Sequence, residues 1–422
     1  TFRFAHCKNI TIKNCTFKNN YNCHDIELGG VNNAKITKCN FYNDKGVNIF
    51  KNDGGREAIQ LDVNTSEAMP EFKLFDNTPC KNITLSYCNF KNKFRGIGSH
   101  HAVLGNTFDN IKVHHNYFKN IGGITVYAVY WTNSKIYSNT MESVGLGVDM
   151  RSMTTGSGYN FYNNKKLSYE QCENAVKNSK AYIYDNTISL RKSNNTYVRA
   201  CGVRVMGEYY AEKDTKTGVN AGTYKIYNIN VGINANGTSK PNTIKGNVAA
   251  GIQLNYAVDS TIKNNTVNAN SSVSETSNGI EIKGCENTSV ISNTVKNGNI
   301  TNARGMYLTS TAAGFGNENI TVSGNNISSF LSSGVYLYKT NNSIIEKNTV
   351  DKSSSYGVTV RLSEGNVVDN NKITNTNNDS VYVYAQSKNN AFTNNTISTT
   401  KNTAVYVLQS ESNKFQSNTI SD

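Results

Sequence analysis

A single phrase recurs along the whole 422-residue chain: an apolar residue, two polar residues, Asn, one polar residue and a second apolar residue. Examples are IYSNTM ending at Met141 and IKNNTV ending at Val267. In the last five copies the Asn recurs every 23 or 24 residues, at Asn325, Asn348, Asn371, Asn395 and Asn418. A fixed period of this length is typical of repeat architectures, in which each unit packs on its neighbours. We therefore expect one elongated domain over 1–422, although length alone suggests two or three domains.

A second phrase, Gly-apolar-x-apolar, precedes the Asn phrase by about ten residues, as in GIEI from Gly279 and GVYL from Gly334. Alternation of this kind over four or five residues predicts a short strand with one buried face. Two or three such strands fill each 23-residue unit and leave no room in it for a helix. The sequence therefore predicts an all-β parallel solenoid with rungs of about 23 residues, stacked at about 4.8 Å.

The repeated Asn suits a tight bend between strands, because Asn tolerates left-handed backbone and its amide both donates and accepts hydrogen bonds. We expect these side chains to stack from rung to rung as a buried Asn ladder. Cys15, Cys39 and Cys88 take the ladder position in the first rungs. Since the paired spacing of zinc ligands is absent, stacked buried thiols are favoured over a metal site.

Composition excludes several classes of protein. Charged residues make up 17% of the chain and aromatic residues 10%, which argues against disorder. No apolar run is long enough for a transmembrane helix. The net charge is +13, but the chain contains no basic run or nucleic-acid recognition motif, so nucleic-acid binding is not expected. The chain begins inside a rung, so we expect that an N-terminal cap has been removed.

The repeat resembles that of the right-handed parallel β-helix proteins, which include pectate lyases and polygalacturonases, over nearly all 422 residues. A narrower stretch looks like secreted β-helix proteins of gut anaerobic bacteria: EAIQLDV from Glu57, TPCKNITL from Thr78 and RGIGSHHAVLG from Arg95. The resemblance implies a right-handed single-stranded coil, secretion or display on a bacterial surface, and activity on carbohydrate. It does not assign an enzyme family, because this scaffold carries many chemistries.

Solenoid enzymes place their sites on the outer face of one sheet, where alternate side chains of stacked strands form columns. Two outward columns are predicted here. The middle column runs through Arg3, Glu27, Gln60, Gly98, Tyr127, Asp149, Arg204, Gln253, Glu281, Tyr307, Tyr336 and Thr359. The next column runs through Ala5, Gly29, Asp62, His100, Val129, Arg151, Met206, Asn255, Lys283, Thr309, Tyr338 and Arg361.

Acidic, basic and aromatic residues concentrate in the N-terminal part of these columns, which predicts an active groove within 1–210. Inserts at 64–79, 152–180 and 207–243 leave the same edge of the sheet and are expected to wall this groove, as long inserts tend to lie on the binding face. The later rungs carry Tyr, Thr and isolated charged residues, a pattern that predicts a solvent-exposed sheet face.

The candidate site residues fall into two roles. The predicted catalytic residues are Asp62, Glu27, Asp149 and His100, and the predicted substrate-binding residues are Gln60, Tyr127, Arg151, Arg204 and Arg3. For each of them a structural role, such as a strand-end carboxylate or a surface ion pair, is the alternative. His101 is expected to point away from the groove, and His114 and His115 are expected to be surface or packing residues.

Three functions are compatible with these residues. A glycoside hydrolase needs a carboxylic acid and a second carboxylate. A lyase or C5-epimerase of uronate polymers needs a base and a cation, and the positive net charge suits such a polymer. A non-catalytic glycan-binding adhesin would use the tyrosine columns. We favour the hydrolase and expect an oligo- or polysaccharide partner, a monomer, and no cofactor or metal, since no calcium motif is present.

Overall fold

The computed structural model describes residues 1–20, 23–44, 49, 57–99, 101–152, 160–162, 169–192, 199–213, 221–271 and 276–421. Its contacts divide the chain into two compact units. The first comprises Thr1–Arg199 and Val203–Ile229, and the second comprises Ala200–Gly202 and Asn230–Asp422. That the whole chain acts as one domain stays a prediction.

The described residues form short strands and one helix. The elements up to Tyr227 are β1 (Phe2–Ala5), β2 (Lys8–Lys13), β3 (Thr16–Lys18), β4 (Ile26–Gly29), β5 (Asn32–Thr37), β6 (Asn40–Tyr42), β7 (Glu57–Asp62), β8 (Lys81–Ser86), β9 (Asn89–Lys91), β10 (Arg95–Ser99), β11 (His101–Val103), β12 (Phe108–Asp109), β13 (Lys112–His114), β14 (Tyr117–Val129), β15 (Trp131–Thr132), β16 (Lys135–Tyr137), β17 (Thr140–Arg151), β18 (Asn160–Tyr162), α1 (Tyr169–Lys177), β19 (Ala181–Tyr184), β20 (Thr187–Leu190), β21 (Cys201–Met206), β22 (Glu208–Tyr210), β23 (Gly222–Tyr224) and β24 (Ile226–Tyr227). The later strands are β25 (Ile229–Val231), β26 (Thr243–Gly246), β27 (Ala250–Asn255), β28 (Ala257–Val258), β29 (Thr261–Lys263), β30 (Thr266–Asn268), β31 (Asn278–Lys283), β32 (Ser289–Ile291), β33 (Thr294–Gly298), β34 (Arg304–Thr309), β35 (Asn317–Glu318), β36 (Thr321–Ser323), β37 (Asn326–Phe330), β38 (Ser333–Tyr338), β39 (Thr340–Asn341), β40 (Ile344–Glu346), β41 (Thr349–Asp351), β42 (Tyr356–Arg361), β43 (Val367–Asp369), β44 (Lys372–Thr376), β45 (Val381–Tyr384), β46 (Ala391–Thr393), β47 (Thr396–Thr400), β48 (Val405–Leu408), β49 (Lys414–Gln416) and β50 (Thr419–Ser421).

Each unit is a parallel coil, because a strand pairs with the equivalent strand one turn later. In the first unit β1 pairs with β4, β4 with β7, β7 with β10, β10 with β14, and β14 with β17, all in parallel. In the second unit β27, β31, β34, β38, β42, β45 and β48 pair successively in the same way. The predicted parallel β-helix is confirmed.

The core of each turn is thin and filled by stacked apolar side chains. Phe17, Phe41, Phe90 and Phe118 stack on successive turns with ring centroids 4.9, 4.6 and 4.5 Å apart. A core that is one side chain deep on each face needs few apolar residues, which explains a hydrophobic content of only 37%.

The Asn ladder is present and buried. In the second unit the Asn325 amide donates to Oδ1 of Asn348 at 2.9 Å, and Asn348 donates to Oδ1 of Asn371 at 3.0 Å. In the first unit the backbone N–H of Cys39 donates to Sγ of Cys88 at 3.3 Å, and that of Cys88 donates to Oδ1 of Asn116 at 3.0 Å. Cys39 and Cys88 therefore occupy the ladder position as buried thiols, as predicted, whereas Cys15 is only half-buried.

A second Asn ladder, which the sequence analysis did not identify, runs along another bend of the second unit. The Asn366 amide donates to Oδ1 of Asn390 at 2.9 Å, and Asn390 donates to Oδ1 of Asn413 at 2.9 Å. Two bends per turn are thus closed by the same side chain.

The inserts differ from one another in structure. Residues 64–79 form turns, and 152–180 carries β18 and α1, so the helix lies outside the repeating turns. The insert predicted over 207–243 is shorter than expected, because β25 pairs with β29 as part of the coil. None of the helices in the described ranges is long and apolar enough to cross a membrane.

Candidate active site

The strand register of the first unit places the predicted columns side by side. Arg3 pairs with Glu27, Glu27 with Gln60, and Gln60 with Gly98. The column continues from Gly98 to Tyr127, then to Asp149 and Arg204. In the adjacent column Gly29 pairs with Asp62, and Val129 pairs with Arg151. All of the described candidate residues therefore lie on one outward face.

At the first turns of the coil, Arg3 joins a column residue to the insert. Its Nε lies 3.0 Å from Oε2 of Glu27, and its Nη1 lies 2.6 Å from Oε1 of Glu71. Its Nη2 donates to the carbonyl oxygen of Ala68 at 2.8 Å. Ala68 and Glu71 of the insert at 64–79 thus contact this end of the face. That the inserts wall a groove stays a prediction.

Asp62 is fully buried and lies at the centre of a hydrogen-bonded group. Gln60 Nε2 donates to Oδ2 of Asp62, and Nδ1 of His101 lies 3.2 Å from its Oδ1. The expectation that His101 points away is wrong, because β10 ends at Ser99 and β11 begins a new strand at His101, which breaks the alternation. His100 lies outside the described residues, and its predicted role is not tested.

Tyr127 lies at the centre of the face and is almost fully buried between two guanidinium groups. The guanidinium carbon of Arg95 is 5.2 Å from the ring centroid, and that of Arg151 is 5.6 Å away. Arg95 Nη1 is also 2.7 Å from Oε1 of Glu57, its partner on the neighbouring strand. Cation–π contact of this kind orients both arginines.

Asp149 is fully buried and binds two arginines. Arg204 donates from Nε to Oδ1 at 3.0 Å and from Nη2 to Oδ2 at 2.6 Å, and Arg151 Nε donates to Oδ2 at 3.0 Å. Burial alone raises the pKa of Asp149, but the charges of Arg151 and Arg204 outweigh this effect and hold it below its usual value. Asp149 is therefore ionised at neutral pH.

Glu208 has the opposite electrostatic environment. It begins β22 at the start of the third insert, and its Oε1 lies 3.3 Å from Nη1 of Arg151. Burial raises its pKa to about 7, since the attraction of Arg151 only partly offsets the desolvation and the repulsion by Asp149. Two carboxyl groups that share one guanidinium thus differ in protonation, which is the usual pattern of an acid and its charged partner.

The face contains two separate groups of titratable residues. Gln60 and Asp149 occupy the same column three strand spacings apart, roughly 14 Å at the usual separation of paired strands. The carboxyl groups of a glycosidase lie about 5–9.5 Å apart. The backbone positions of the group around Asp62 and the group around Asp149 are therefore farther apart than the two carboxyl groups of a glycosidase.

Four residues of this face were not among the predicted site residues: Glu57, Arg95, His101 and Glu208. Glu57 and Arg95 begin their strands at the bend, where period-two alternation does not predict side-chain direction. Glu208 lies in an insert, and only its position two residues beyond the end of the column at Met206 marks it.

The inserts contribute differently to this face. Met69, from the first insert, fills the space that a side chain at Gly29 would occupy. From the second insert, β18 pairs in parallel with β11, the strand of His101. The third insert supplies Glu208. Among the described residues no group of three or more His, Cys, Asp or Glu side chains is placed to hold a metal ion. The absence of a cofactor stays a prediction.

A family model described as "Right handed beta helix region" matches residues 273–420, which lie in the second unit. The chain is also 27% identical over 180 residues to plasmin and fibronectin-binding protein A of Streptococcus pneumoniae strain ATCC BAA-255 / R6. That alignment covers 39% of this chain and 25% of the relative, so the chain spans about a quarter of the curated protein that it matches.

Similar solved structures include the periplasmic alginate epimerase AlgG, at 11% identity and a TM-score of 0.49, covering 94% of this chain and 77% of that one. Another is PfbA, a surface adhesin of Streptococcus pneumoniae, at 15% identity and a TM-score of 0.35, covering 96% and 62%. At these identities the likeness concerns the fold alone. The family match confirms the expected resemblance to right-handed parallel β-helix proteins over residues 273–420.

Proposed function

We propose that this protein is a secreted or cell-surface carbohydrate-active enzyme that hydrolyses a glycosidic bond at the Asp149–Glu208 group. The observation that carries the proposal is the shared guanidinium of Arg151, which contacts an ionised Asp149 and a Glu208 that stays half protonated near pH 7. A protonated carboxylic acid next to a fixed negative charge is what cleavage through an oxocarbenium-like transition state requires.

In this reaction Glu208 donates its proton to the glycosidic oxygen as the bond to the anomeric carbon breaks. Three hydrogen bonds from Arg151 and Arg204 hold Asp149 in place, and in this proposal its negative charge offsets part of the positive charge of the two arginines as charge develops on the sugar. Water then adds to the anomeric carbon, and its proton returns to the Glu208 carboxylate. The free acid is thereby restored.

The group around Asp62 is assigned to substrate binding in this proposal. In this proposal the group lies opposite a neighbouring sugar unit, and Gln60, His101 and Arg3 bind its hydroxyl or acidic groups. This assignment moves Asp62 and Glu27, first selected as catalytic residues, to binding roles.

A lyase or C5-epimerase acting on a uronate polymer is the second candidate, and the Asp62–His101 contact favours it. A buried carboxylate that orients an imidazole produces a general base for the proton at C5. The similarity to a plasmin and fibronectin-binding protein supports a third possibility, an adhesin without catalytic activity.

Incubation of the protein with a panel of neutral and acidic glycans, followed by mass spectrometry, separates these functions. Products that gain one water per cleavage support the hydrolase, and products with unsaturated ends support the lyase. A polymer whose uronate stereochemistry changes without cleavage supports the epimerase. Binding without any product from the panel contradicts both enzyme proposals and supports the adhesin.

A further inference from the structure

The outward face of the second unit carries two arginines packed on tyrosine rings. The guanidinium carbon of Arg304 is 4.3 Å from the ring centroid of Tyr307 and 4.6 Å from that of Tyr336. That of Arg361 is 5.1 Å from the centroid of Tyr338 and 5.5 Å from that of Tyr384. These six residues, Arg304, Tyr307, Tyr336, Tyr338, Arg361 and Tyr384, are called the Tyr–Arg surface.

The two arginines lack the acidic partners that four arginines of the first unit have. There Arg3, Arg95, Arg151 and Arg204 each form an ion pair with a carboxylate. Within the described residues neither Arg304 nor Arg361 forms such a pair, and the Nε of each is buried without a hydrogen bond. The positive charge of this surface is therefore uncompensated, although tyrosine contacts hold both guanidinium groups in place.

The two arginines belong to one continuous surface. Arg304 lies on β34 and Arg361 on β42, and β38 pairs with both strands. The arginine-bearing strands are thus two strand spacings apart, roughly 10 Å. Arg304 begins β34 and Arg361 ends β42, and the register sets Arg304 in line with Tyr356, so the two arginines also lie at different ends of their strands. The hydroxyl oxygens of Tyr336 and Tyr384 lie 3.2 Å apart and connect the two arginine–tyrosine groups. Tyr336 is buried, and the other five side chains are partly exposed to solvent.

We propose that the Tyr–Arg surface is a second carbohydrate site, which binds a polysaccharide bearing acidic groups along its chain. Each guanidinium presents a planar set of donors that matches a carboxylate or a sulfate. The tyrosine hydroxyls supply hydrogen bonds for sugar hydroxyl groups, and the partly exposed rings supply apolar contact for the sugar ring.

A polymer fits this surface better than a single small anion. The two arginines are held in fixed positions on strands two spacings apart, so they can bind two acidic groups of the same polysaccharide molecule. Once one acidic group is bound, the other is held at a high effective concentration near the second arginine. The proposal does not depend on the hydrolase assignment, because all six residues belong to the second unit.

The test is affinity of the full chain for polygalacturonate, for dextran sulfate and for fully methyl-esterified polygalacturonate, measured by isothermal titration calorimetry. The first two arms distinguish a carboxylate from a sulfate ligand, and the third is a neutral control. The double variant Arg304→Gln/Arg361→Gln is expected to weaken binding of the acidic polymer about tenfold or more.

A matched control is the double variant Lys347→Gln/Lys388→Gln, which removes the same charge from exposed lysines outside the Tyr–Arg surface. It is expected to change the affinity less than about twofold. Circular dichroism melting of both double variants checks that the fold is retained.

Three outcomes overturn the proposal. The first is no binding of either acidic polymer by the unmodified protein. The second is an equal loss of affinity in both double variants, which indicates only diffuse charge attraction. The third is binding of poly-glutamate with the same affinity and the same dependence on the two arginines, which assigns the surface to acidic protein segments.

Discussion

Arg204 binds both carboxylate oxygens of Asp149 from the next strand of the column, with Nε–Oδ1 and Nη2–Oδ2 distances of 3.0 and 2.6 Å. Both residues are buried, and Arg151 adds a further contact to Oδ2. Buried charges are stable only when close partners of opposite charge compensate for the loss of hydration. Loss of this ion pair would therefore change both the stability of the coil and the charge of the candidate active site.

Asp149→Asn is expected to lower the free energy of unfolding by about 3–5 kcal/mol, because it leaves the buried guanidinium of Arg204 without its counter-charge and takes one of two carboxyl partners from Arg151. The pKa of Asp149 is lowered in the folded state, so its contribution is present above the unfolded pKa near 4 and is lost as pH falls through the folded pKa. Urea unfolding from pH 7 to pH 2 should therefore show a smaller loss of stability in the variant than in the unmodified protein. Equal pH dependence of the two proteins argues against an ionised, paired Asp149.

Glu208→Gln is expected to reduce kcat for glycosidic cleavage about 10²- to 10⁴-fold, since Gln cannot donate a proton. In the unmodified enzyme activity should fall as pH rises through the Glu208 pKa of about 7, because only the protonated form acts as an acid. This alkaline decline should disappear from the residual activity of the variant. Glu212→Gln, an exposed carboxylate of the same insert, is the control and should retain normal kinetics. Full activity of Glu208→Gln excludes the assigned acid.

His101→Ala distinguishes the two enzyme proposals. If His101 only helps to bind a neighbouring sugar, KM rises while kcat changes less than about threefold, since the interaction is uniform along the reaction. If His101 is the base of a lyase or epimerase, kcat falls about 100-fold or more. His115→Ala, an exposed histidine on another strand face, is the matched control in these kinetic measurements.

Asn348→Ala is expected to destabilise the protein by about 3 kcal/mol or more, because it removes a buried ladder side chain from both neighbours. Asn348 Oδ1 accepts from the amide and backbone N–H of Asn325, and its own amide donates to Asn371 and to Val322. Each buried group left without a partner costs about 1–3 kcal/mol. Asn377→Ala, at an exposed turn, should change stability by less than about 0.5 kcal/mol. Chemical denaturation measures the free energy of unfolding of both variants. An equal loss of stability in the two variants contradicts the stabilising role of the ladder.

Thiol labelling should distinguish buried cysteines from the exposed Cys23. Burial raises the pKa of Cys80, Cys88 and Cys285 to about 12, whereas Cys23 is exposed. In the native protein a thiol reagent at pH 8 should modify Cys23 rapidly and leave the three buried thiols unmodified until the chain unfolds. Peptide mass spectrometry of the labelled protein identifies the modified residues. Rapid native labelling of Cys88 contradicts its place in the ladder.

The repeat made most of the fold predictable. The spacing of Asn325, Asn348 and Asn371 implies stacked turns of equal length, and the alternation around Gly279 and Gly334 implies the strands between them. The same alternation predicted the column from Arg3 to Arg204, because residues at equivalent positions of a solenoid must align. These are local rules repeated many times, so a single sequence is sufficient to apply them.

The tertiary structure decided which groups meet where the repeat is interrupted. Glu208 lies on an insert that has no counterpart in the other turns. The interruption between β10 and β11 changes the direction of the His101 side chain from the one that strand alternation predicts. Burial and contact with Arg151 then determine that Glu208 has a raised pKa while Asp149 has a lowered one. Both are ordinary acidic residues in the sequence. Their difference arises only from desolvation and from the number of guanidinium groups that folding places beside each carboxylate.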